Sequence, residues 1–237
     1  MLTGIIVLML IGLAIIIYTS NRTTRKIKKW QRALQLNLHQ PIFNRLYAQV
    51  NGFALSKLAR CNHDAIEYTY GEIEFESFIA LLTSCHPQAN TVFYDLGSGT
   101  GKAVIACAMV FDIDKIYGIE LFTPLHQCAT KQQQKLALIK GYQDKARKII
   151  LRQGNFLEES MVDGTIIFIN ATTFIAELWE KLSRHIEQVK PATLVITTSK
   201  ALTSKQFIIK KVMPVKMSWG IVNAYIQERL PNRGIYT

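Results

Sequence analysis

The first 63 residues of this 237-residue chain contain no aspartate or glutamate, and the first acidic residue is Asp64. The same stretch carries nine of the 28 lysines and arginines, which leaves 19 of them against all 17 acids in the rest of the chain. The formal net charge of +11 therefore belongs almost entirely to the N-terminal region. A protein that coats nucleic acid with its whole surface is disfavoured, and contact with nucleic acid is expected only through the basic segment 22–32.

Cysteine is scarce as well, and its spacing excludes the usual cysteine frameworks. The four cysteines include no Cys-x-x-Cys pair. A secreted disulfide scaffold is therefore disfavoured, and a reducing compartment fits best. Cys61 and His63, or Cys85 and His86, could offer ligand atoms to a metal ion, but no second pair stands at the spacing of a zinc site. We expect no metal site.

A long apolar run opens the chain, because residues 1–20 contain no charged side chain. About 20 helical residues span a hydrocarbon layer of ~30 Å. Basic residues follow the run instead of preceding it, and no small-x-small site comes after it, so a cleaved signal peptide is disfavoured. The pattern predicts an uncleaved, single-pass transmembrane helix over residues 1–20 in contact with the lipid bilayer. The positive-inside rule then places the rest of the chain on the cytoplasmic side.

The remaining chain is predicted to form two further parts. Residues 21–63 are expected to be a basic juxtamembrane helical stalk, and residues 64–237 a catalytic domain. Apolar residues recur with helical spacing between Trp30 and Arg60, and Pro41 is expected to divide this stretch into two short amphipathic helices. Whether they form a stalk or a lid over the domain stays open.

A glycine-rich loop is the most informative local pattern. A short apolar strand, Thr91–Tyr94, runs into the loop Asp95–Gly101, and a helix-like segment begins at Lys102. Glycines in such a turn let the backbone approach a ligand closely, ahead of the free N–H groups of a helix N-terminus. A Walker phosphate loop is excluded, because Leu96 and Ala103 stand where it needs glycine and Ser/Thr. A dinucleotide fingerprint is weak, because the three glycines alternate with other residues instead of following G-x-G-x-x-G.

The loop resembles the acid-x-Gly-x-Gly-x-Gly loop of the seven-strand methyltransferases, whose cofactor is S-adenosyl-L-methionine. The ammonium of the cofactor's amino-acid end suits the carboxylate of Asp95. A second acid is then expected after the next strand, to accept both ribose hydroxyls, and Glu120 stands there at the end of an apolar run. Asn155 and Phe156 follow a further short strand, where adenine-recognising side chains lie in this fold.

The order of strand and helix signals indicates an α/β fold with a mostly parallel sheet. Strands are expected over Thr165–Ile169 and Thr193–Ser199, and a closing antiparallel pair over Lys211–Met217 and Ile221–Gln227. The resemblance implies the class I methyltransferase (Rossmann-like) fold. Its features are a seven-stranded, mostly parallel sheet and flanking helices, here preceded by the N-terminal transmembrane helix.

Several motifs together resemble one family, the disruptor-of-telomeric-silencing (Dot) type of protein-lysine methyltransferase, which methylates core histone lysines without a SET domain. The resemblance runs from Glu67 to Arg229, whereas the glycine loop alone indicates only a methyltransferase. In chain order the matching motifs are Tyr70-Gly71-Glu72, Asp95–Gly101, Tyr117–Glu120, Gly154–Phe156, Phe168–Asn170 with Phe174, and Ser218-Trp219.

The resemblance implies an S-adenosylmethionine-dependent methyltransferase of histone-lysine type, and the predicted anchor, which is foreign to the nuclear members of the family, makes it membrane-anchored. Its substrate is then expected to be a lysine of a histone or of a membrane protein. It implies that Asn170 orients the amine or the cofactor through its carbonyl. It also implies that Phe174 and Tyr225, together with Trp219, wall the lysine channel. The cofactor-binding residues that it implies are Tyr70, Glu72, Asp95, Gly97, Gly99, Gly101, Glu120, Asn155 and Phe156.

The sequence departs from the family pattern at several positions near the predicted site. Ile73 replaces the usual threonine after Tyr-Gly-Glu, Lys102 the usual glutamine after the glycine loop, and Asn155 the usual aspartate. Ala224-Tyr225 replaces a pair of tyrosines. Cofactor affinity and one channel wall are therefore expected to differ from the family pattern.

Two alternatives stay open. One is a methyltransferase for another acceptor, such as a membrane protein lysine, a small molecule, a lipid or a nucleobase. The absence of Pro-Pro after Asn170 argues against the nucleobase. The other is a catalytically silent, membrane-tethered binding module, which would be expected to lose Asp95 or Glu120.

Overall fold

The computed structural model describes residues 2–60 and 70–231, with the backbone alone for residues 2–10 and 14. The chain divides into two compact units, Met1–Ile42 and Phe43–Thr237. The first unit contains helix α1 (Leu2–Ala33) and the start of helix α2 (Leu36–Tyr47). The second unit begins within α2 and contains all the strands.

Helix α1, which contains the predicted transmembrane segment, does not have the properties of a membrane-spanning helix. α1 continues without a break through the basic cluster to Ala33. From Ile11, four lysines and arginines fall within eighteen residues. In the parts of the chain that are described, none of the helices combines the length and the apolar character that crossing a membrane requires. The predictions of a transmembrane anchor over residues 1–20 and of single-pass membrane localisation are therefore wrong, and contact with lipid through this segment loses its basis.

The helices after α1 also differ from expectation. α2 runs through Pro41, so this residue does not divide the stretch. The chain instead turns at Gln35, where φ is 51°, and again at Asn51, which caps helix α3 (Gly52–Ala59) by accepting a hydrogen bond from the N–H of Ala54. The predicted division into residues 21–63 and 64–237 stays a prediction. The boundary between residues 63 and 64 lies within residues 61–69, which are outside the described chain.

A seven-stranded mixed sheet forms the centre of the second unit, in the order β3-β2-β1-β4-β5-β7-β6. Strands β1 to β5 are parallel, β7 is antiparallel to β5, and β6 is antiparallel to β7. The predicted class I methyltransferase sheet is confirmed. The strands are β1 Val92–Leu96, β2 Lys115–Glu120, β3 Ile149–Gln153, β4 Ile166–Ile169, β5 Leu194–Thr198, β6 Phe207–Met217 and β7 Gly220–Arg229.

Helices cover the sheet, whose central strands are buried along almost their whole length, as parallel strands require. One core cluster includes Tyr94, Ile119, Ile167 and Trp179. Because parallel strands share a direction, the carboxyl ends of β1, β2, β4 and β5 meet at one edge of the sheet. The further helices are α4 Phe75–Thr83, α5 Lys102–Val110, α6 Thr123–Ala137, α7 Gln143–Arg147 and α8 Ala176–His185, the last followed by a 3₁₀ turn at Ile186–Gln188.

The β6–β7 hairpin holds the segment that carries the Tyr-Gly-Glu motif. Ile73 forms an isolated antiparallel bridge with Met217. The Ser218 N–H donates to the carbonyl of Glu72 at 2.8 Å, and the Ser218 hydroxyl accepts from the Glu72 N–H at 3.3 Å. The ring of Trp219 covers Gly71, where a Cβ would stand 2.0 Å from it. The Tyr-Gly-Glu and Ser-Trp motifs are thus two halves of one structural unit.

Candidate active site

The loop after β1 is shaped by three glycines in left-handed backbone conformations. φ is 78° at Gly97, 55° at Gly99 and 81° at Gly101, values that residues with a Cβ adopt only with strain. The N–H groups of Gly97 and Ser98 donate to the carbonyl of Ile119, which ties the loop to the end of β2. Apart from Gly97 itself and its two neighbours, no atom of the described residues lies within 4 Å of the place where a Cβ on Gly97 would stand. The backbone there is open to a ligand.

Two buried carboxyl groups lie beside this loop. Asp95 in β1 is 3% exposed, and Glu120, the last residue of β2, is 6% exposed. Glu120 accepts hydrogen bonds from the N–H of Gly99 at 2.8 Å and of Phe122 at 2.9 Å. Burial, and then the charge of Glu120, raise the pKa of Asp95 to about 8. Burial also raises the pKa of Glu120, against the opposite effect of its backbone hydrogen bonds. Two carboxyl groups held together in this way favour a cationic ligand.

A cavity of about 380 Å³ opens beside the two acids, which is the size of a small-molecule site. Gly101 lies outside its lining, at the position that precedes α5, and a Cβ there would meet the side chain of Ala129 at 2.9 Å. Asn170 and Phe174 also line the cavity, so predicted acceptor residues and predicted cofactor residues share one space. The predicted cofactor residues that line it are Tyr70, Glu72, Asp95, Gly97, Gly99, Glu120, Asn155 and Phe156.

Tyr70 closes one side of the glycine loop. Its hydroxyl donates to Glu72 Oε1 at 2.7 Å and is 2.9 Å from the hydroxyl of Thr100. Burial, and then the charge of Glu72, raise the pKa of Tyr70 well above its usual value. The second carboxylate oxygen of Glu72 forms an ion pair with Lys102. The lysine that departs from the family pattern therefore has a specific partner within the cavity.

The close approach of Tyr70 to Gly99 gives the first testable prediction. A Cβ on Gly99 would lie 2.7 Å from the Tyr70 ring, in addition to the strain of φ 55°. We expect Gly99→Ala to lower the free energy of unfolding by roughly 2 kcal/mol, measured by urea denaturation. Gly141→Ala is the matched control, because φ is 88° there and the space is open. An equal loss in both variants would mean that the contact with Tyr70 contributes nothing.

Asn170 follows β4 and makes hydrogen bonds in three directions. Its Nδ2 donates to the carbonyl of Gly71 at 2.9 Å. Its Oδ1 accepts from the hydroxyls of Thr198 at 2.7 Å and Thr172 at 3.2 Å. The carbonyl through which Asn170 was predicted to act is thus already engaged by two donors.

Aromatic residues form the wall beside Asn170. Phe174 stacks on Phe156, with ring centroids 5.9 Å apart and an angle of 28° between the ring planes. Asn155 holds the turn before Phe156, because its Oδ1 accepts from the Leu157 N–H at 3.0 Å and its Nδ2 donates to Glu158. The two predicted sites for adenine and for the lysine channel therefore share an aromatic stack.

Tyr225 was predicted to wall the lysine channel, but the structure places it outside the lining of the cavity. It lies within β7, paired with Thr197 on one side and Val212 on the other. It is not among the lining residues of the cavity in the described chain. Trp219 is 45% exposed at the hairpin turn and touches Gly71 at the edge of the site. Like Tyr225, it is not among the lining residues of the cavity in the described chain.

The sequence reasoning missed the hydroxyl groups around Asn170. Thr198 ends β5 and Thr172 follows Asn170 by two residues, and the hydroxyls of Thr172 and Ser199 lie 2.8 Å apart. A signal was present, because Thr197-Thr198-Ser199 places polar residues at the carboxyl end of a buried strand. In a parallel sheet that end faces the same edge as the glycine loop.

Two features define a class I methyltransferase. One is the strand order with an antiparallel β7, and the other is a glycine loop with a buried acid near the end of β1 and another at the end of β2. A family profile described as "Histone methylation protein DOT1" matches residues 56–220. The match covers most of the chain, so the chain belongs to the DOT1 family. The predictions of a Dot-type, S-adenosylmethionine-dependent methyltransferase and of its cofactor are confirmed.

A curated relative and two solved structures show how far the similarity extends. The histone-lysine N-methyltransferase, H3 lysine-79 specific, of Caenorhabditis elegans is 32% identical over 154 residues, which are 59% of this chain and only 16% of that protein. An RNA methyltransferase from Salinibacter ruber in complex with S-adenosyl-L-homocysteine has a TM-score of 0.54 at 20% identity, over 68% of this chain and 94% of its own. Magnesium protoporphyrin IX methyltransferase from Synechocystis PCC 6803, with bound SAM, has a TM-score of 0.53 at 12% identity, over 77% of this chain and 93% of its own. At such identities the two structures support the fold alone.

Proposed function

We propose that this protein transfers a methyl group from S-adenosyl-L-methionine to the ε-amine of a protein lysine, with core histones as the first acceptors to test. Membership of the DOT1 family supports the reaction. The C. elegans relative, whose name specifies H3 lysine 79, supports a histone as the acceptor. The observation that carries the proposal is one cavity lined both by the acids Asp95 and Glu120 and by Asn170 and Phe174.

The residues around the glycine loop fit the cofactor. Asp95 offers a buried carboxylate to the ammonium of its amino-acid end, and Glu120 offers carboxylate oxygens to ribose hydroxyls. The open backbone at Gly97 leaves room for a ligand, and Phe156 offers a ring to the adenine. When bound, the cofactor supplies an electrophilic methyl group on its sulfonium.

The acceptor end of the cavity needs no strong base. A free lysine has a pKa of about 10.4 and is almost wholly protonated at neutral pH. Apolar surroundings disfavour the charged form, and the stacked rings of Phe156 and Phe174 provide such surroundings. Holding the neutral amine in line with the methyl group then supplies much of the acceleration. The rings wall the channel, and Asn170 keeps the Gly71 backbone at its edge.

The proposal is tested with the full chain, S-adenosyl-L-[methyl-³H]methionine and recombinant nucleosomes. We expect label on core histones that survives acid hydrolysis as methylated lysine, located by mass spectrometry. Asn170→Ala is expected to reduce the rate by about 100-fold while the protein stays folded, because it frees the Gly71 carbonyl and two hydroxyls at once. Phe111→Leu, outside the cavity lining, is the control that is expected to retain the rate.

Two results would contradict the proposal. Cofactor binding without label on any protein lysine, but with label on a small molecule or on nucleic acid, would move the acceptor to another class. A folded protein that binds no cofactor would be the silent binding module.

A further inference from the structure

The side-chain amide of Asn170 has a fixed orientation. The carbonyl oxygen of Gly71 can only accept a hydrogen bond, so the group that faces it at 2.9 Å must be the Nδ2 of Asn170. A flipped amide would set two carbonyl oxygens against each other. Oδ1 then points to the hydroxyls of Thr198 and Thr172, and these two bonds use both of its lone pairs.

Thr198 is the stronger of the two donors. Its bond to Asn170 Oδ1 is 2.7 Å long, whereas that of Thr172 is 3.2 Å. Its side chain is fully buried at the end of β5, and its hydroxyl oxygen also accepts the Ala171 N–H at 3.2 Å. One hydroxyl thus joins the end of β5 to the backbone and the side chain that follow β4.

We infer that Thr198 is a positioning residue for the active site, which acts through Asn170 to hold the Tyr70-Gly71-Glu72 segment against the glycine loop. The chain of contacts runs from the Thr198 hydroxyl to Asn170 Oδ1, and from Asn170 Nδ2 to the Gly71 carbonyl. Gly71 precedes Glu72, and its neighbour Tyr70 packs on Gly99. The width of the cofactor cavity therefore depends on a hydroxyl outside its lining.

This inference rests on the proposed function, because it assigns a role within the same site. Loss of the Thr198 hydroxyl leaves Asn170 Oδ1 with one donor and lets the amide rotate. The Gly71 carbonyl then loses its partner, and the segment with Tyr70 and Glu72 keeps its contacts with the β6–β7 hairpin but loses its hydrogen-bonded link to the ends of β4 and β5. The cofactor should be bound less tightly, and its KM should rise more than kcat falls.

Isosteric and conservative variants of the full chain separate positioning from packing. Calorimetric titration of S-adenosyl-L-homocysteine is expected to give a Kd about tenfold higher for Thr198→Val and within about twofold of the parent for Thr198→Ser. Valine keeps the shape of threonine and lacks the hydroxyl, whereas serine keeps the hydroxyl and lacks the methyl group. A packing role predicts the opposite order, with serine the more damaging change.

Two further variants complete the test. Thr193→Val removes another buried hydroxyl, which donates to the Gly164 carbonyl at 2.9 Å near the start of β5, and should leave the Kd unchanged. Thr172→Val removes the weaker donor to Asn170 and should raise the Kd about threefold, which keeps the test readable if Thr198→Val unfolds. The inference would be overturned if Thr172→Val and Thr198→Val both kept the Kd of the parent. It would also be overturned if Thr198→Ser bound as weakly as Thr198→Val. A parent protein that binds no S-adenosyl-L-homocysteine would overturn the proposed function itself.

Discussion

Glu120→Gln is expected to weaken the binding of S-adenosyl-L-methionine by at least about 100-fold. The carboxylate of Glu120 already accepts the N–H groups of Gly99 and Phe122 and still has acceptor capacity for ribose hydroxyls. Glutamine has only one oxygen, so its NH₂ group must face either a backbone N–H or the ligand. The glycine loop and the ribose contact are therefore both disturbed.

Calorimetric titration of the cofactor, together with thermal unfolding, measures this effect. The matched control is Glu180→Gln, which removes an exposed acid on α8 that is not part of the cavity lining, and should keep the parent affinity. The unfolding temperature of Glu120→Gln should lie within a few degrees of the parent, because removal of a buried charge offsets the lost backbone bond. Equal affinity in the two glutamine variants would remove Glu120 from the cofactor site.

The part of the site that could be predicted from sequence is the part fixed by local chemistry. Glu120 ends a short apolar strand and Asp95 lies one residue before the end of another, and the glycines after Asp95 can adopt the left-handed φ values of the loop without strain. Parallel pairing of β1 with β2 then brings the two strand ends to the same edge of the sheet. The succession of strands along the chain followed from the same local signals, because most strands are short apolar runs.

Features that depend on contacts between distant segments could not be predicted from local sequence patterns. Tyr225 was placed in the channel by its motif, whereas the pairing of β7 with β5 and β6 keeps it within the sheet, outside the cavity lining. The orientation of the Asn170 amide depends on Gly71 and Thr198, which are 99 and 28 residues away in the chain. At the N-terminus, residues 1–20 were predicted to form a membrane-spanning helix, whereas α1 continues through the basic segment to Ala33.

Asp95 makes the affinity for the cofactor depend on pH in a defined direction. Burial, and then the charge of Glu120, raise the pKa of Asp95 to about 8, so without a ligand this carboxyl group is mostly protonated at pH 6 to 7. The other charged groups that line the cavity are Glu120 and two ion pairs, Glu72 with Lys102 and Glu177 with Lys181. The ammonium of the cofactor favours the ionised carboxylate, so binding must expel the proton of Asp95.

Proton release on binding means that affinity rises with pH below the pKa of the free group. Between pH 6 and 7.5 we expect the Kd for S-adenosyl-L-homocysteine to fall by about tenfold per pH unit. Calorimetry at pH 7 in two buffers of different ionisation enthalpy should show release of about one proton per ligand bound. Asp95→Asn cannot release this proton, so its weak residual binding should be independent of pH over this range. A pH-independent Kd in the parent would mean either that Asp95 is ionised before the ligand arrives or that the ammonium interacts with another group.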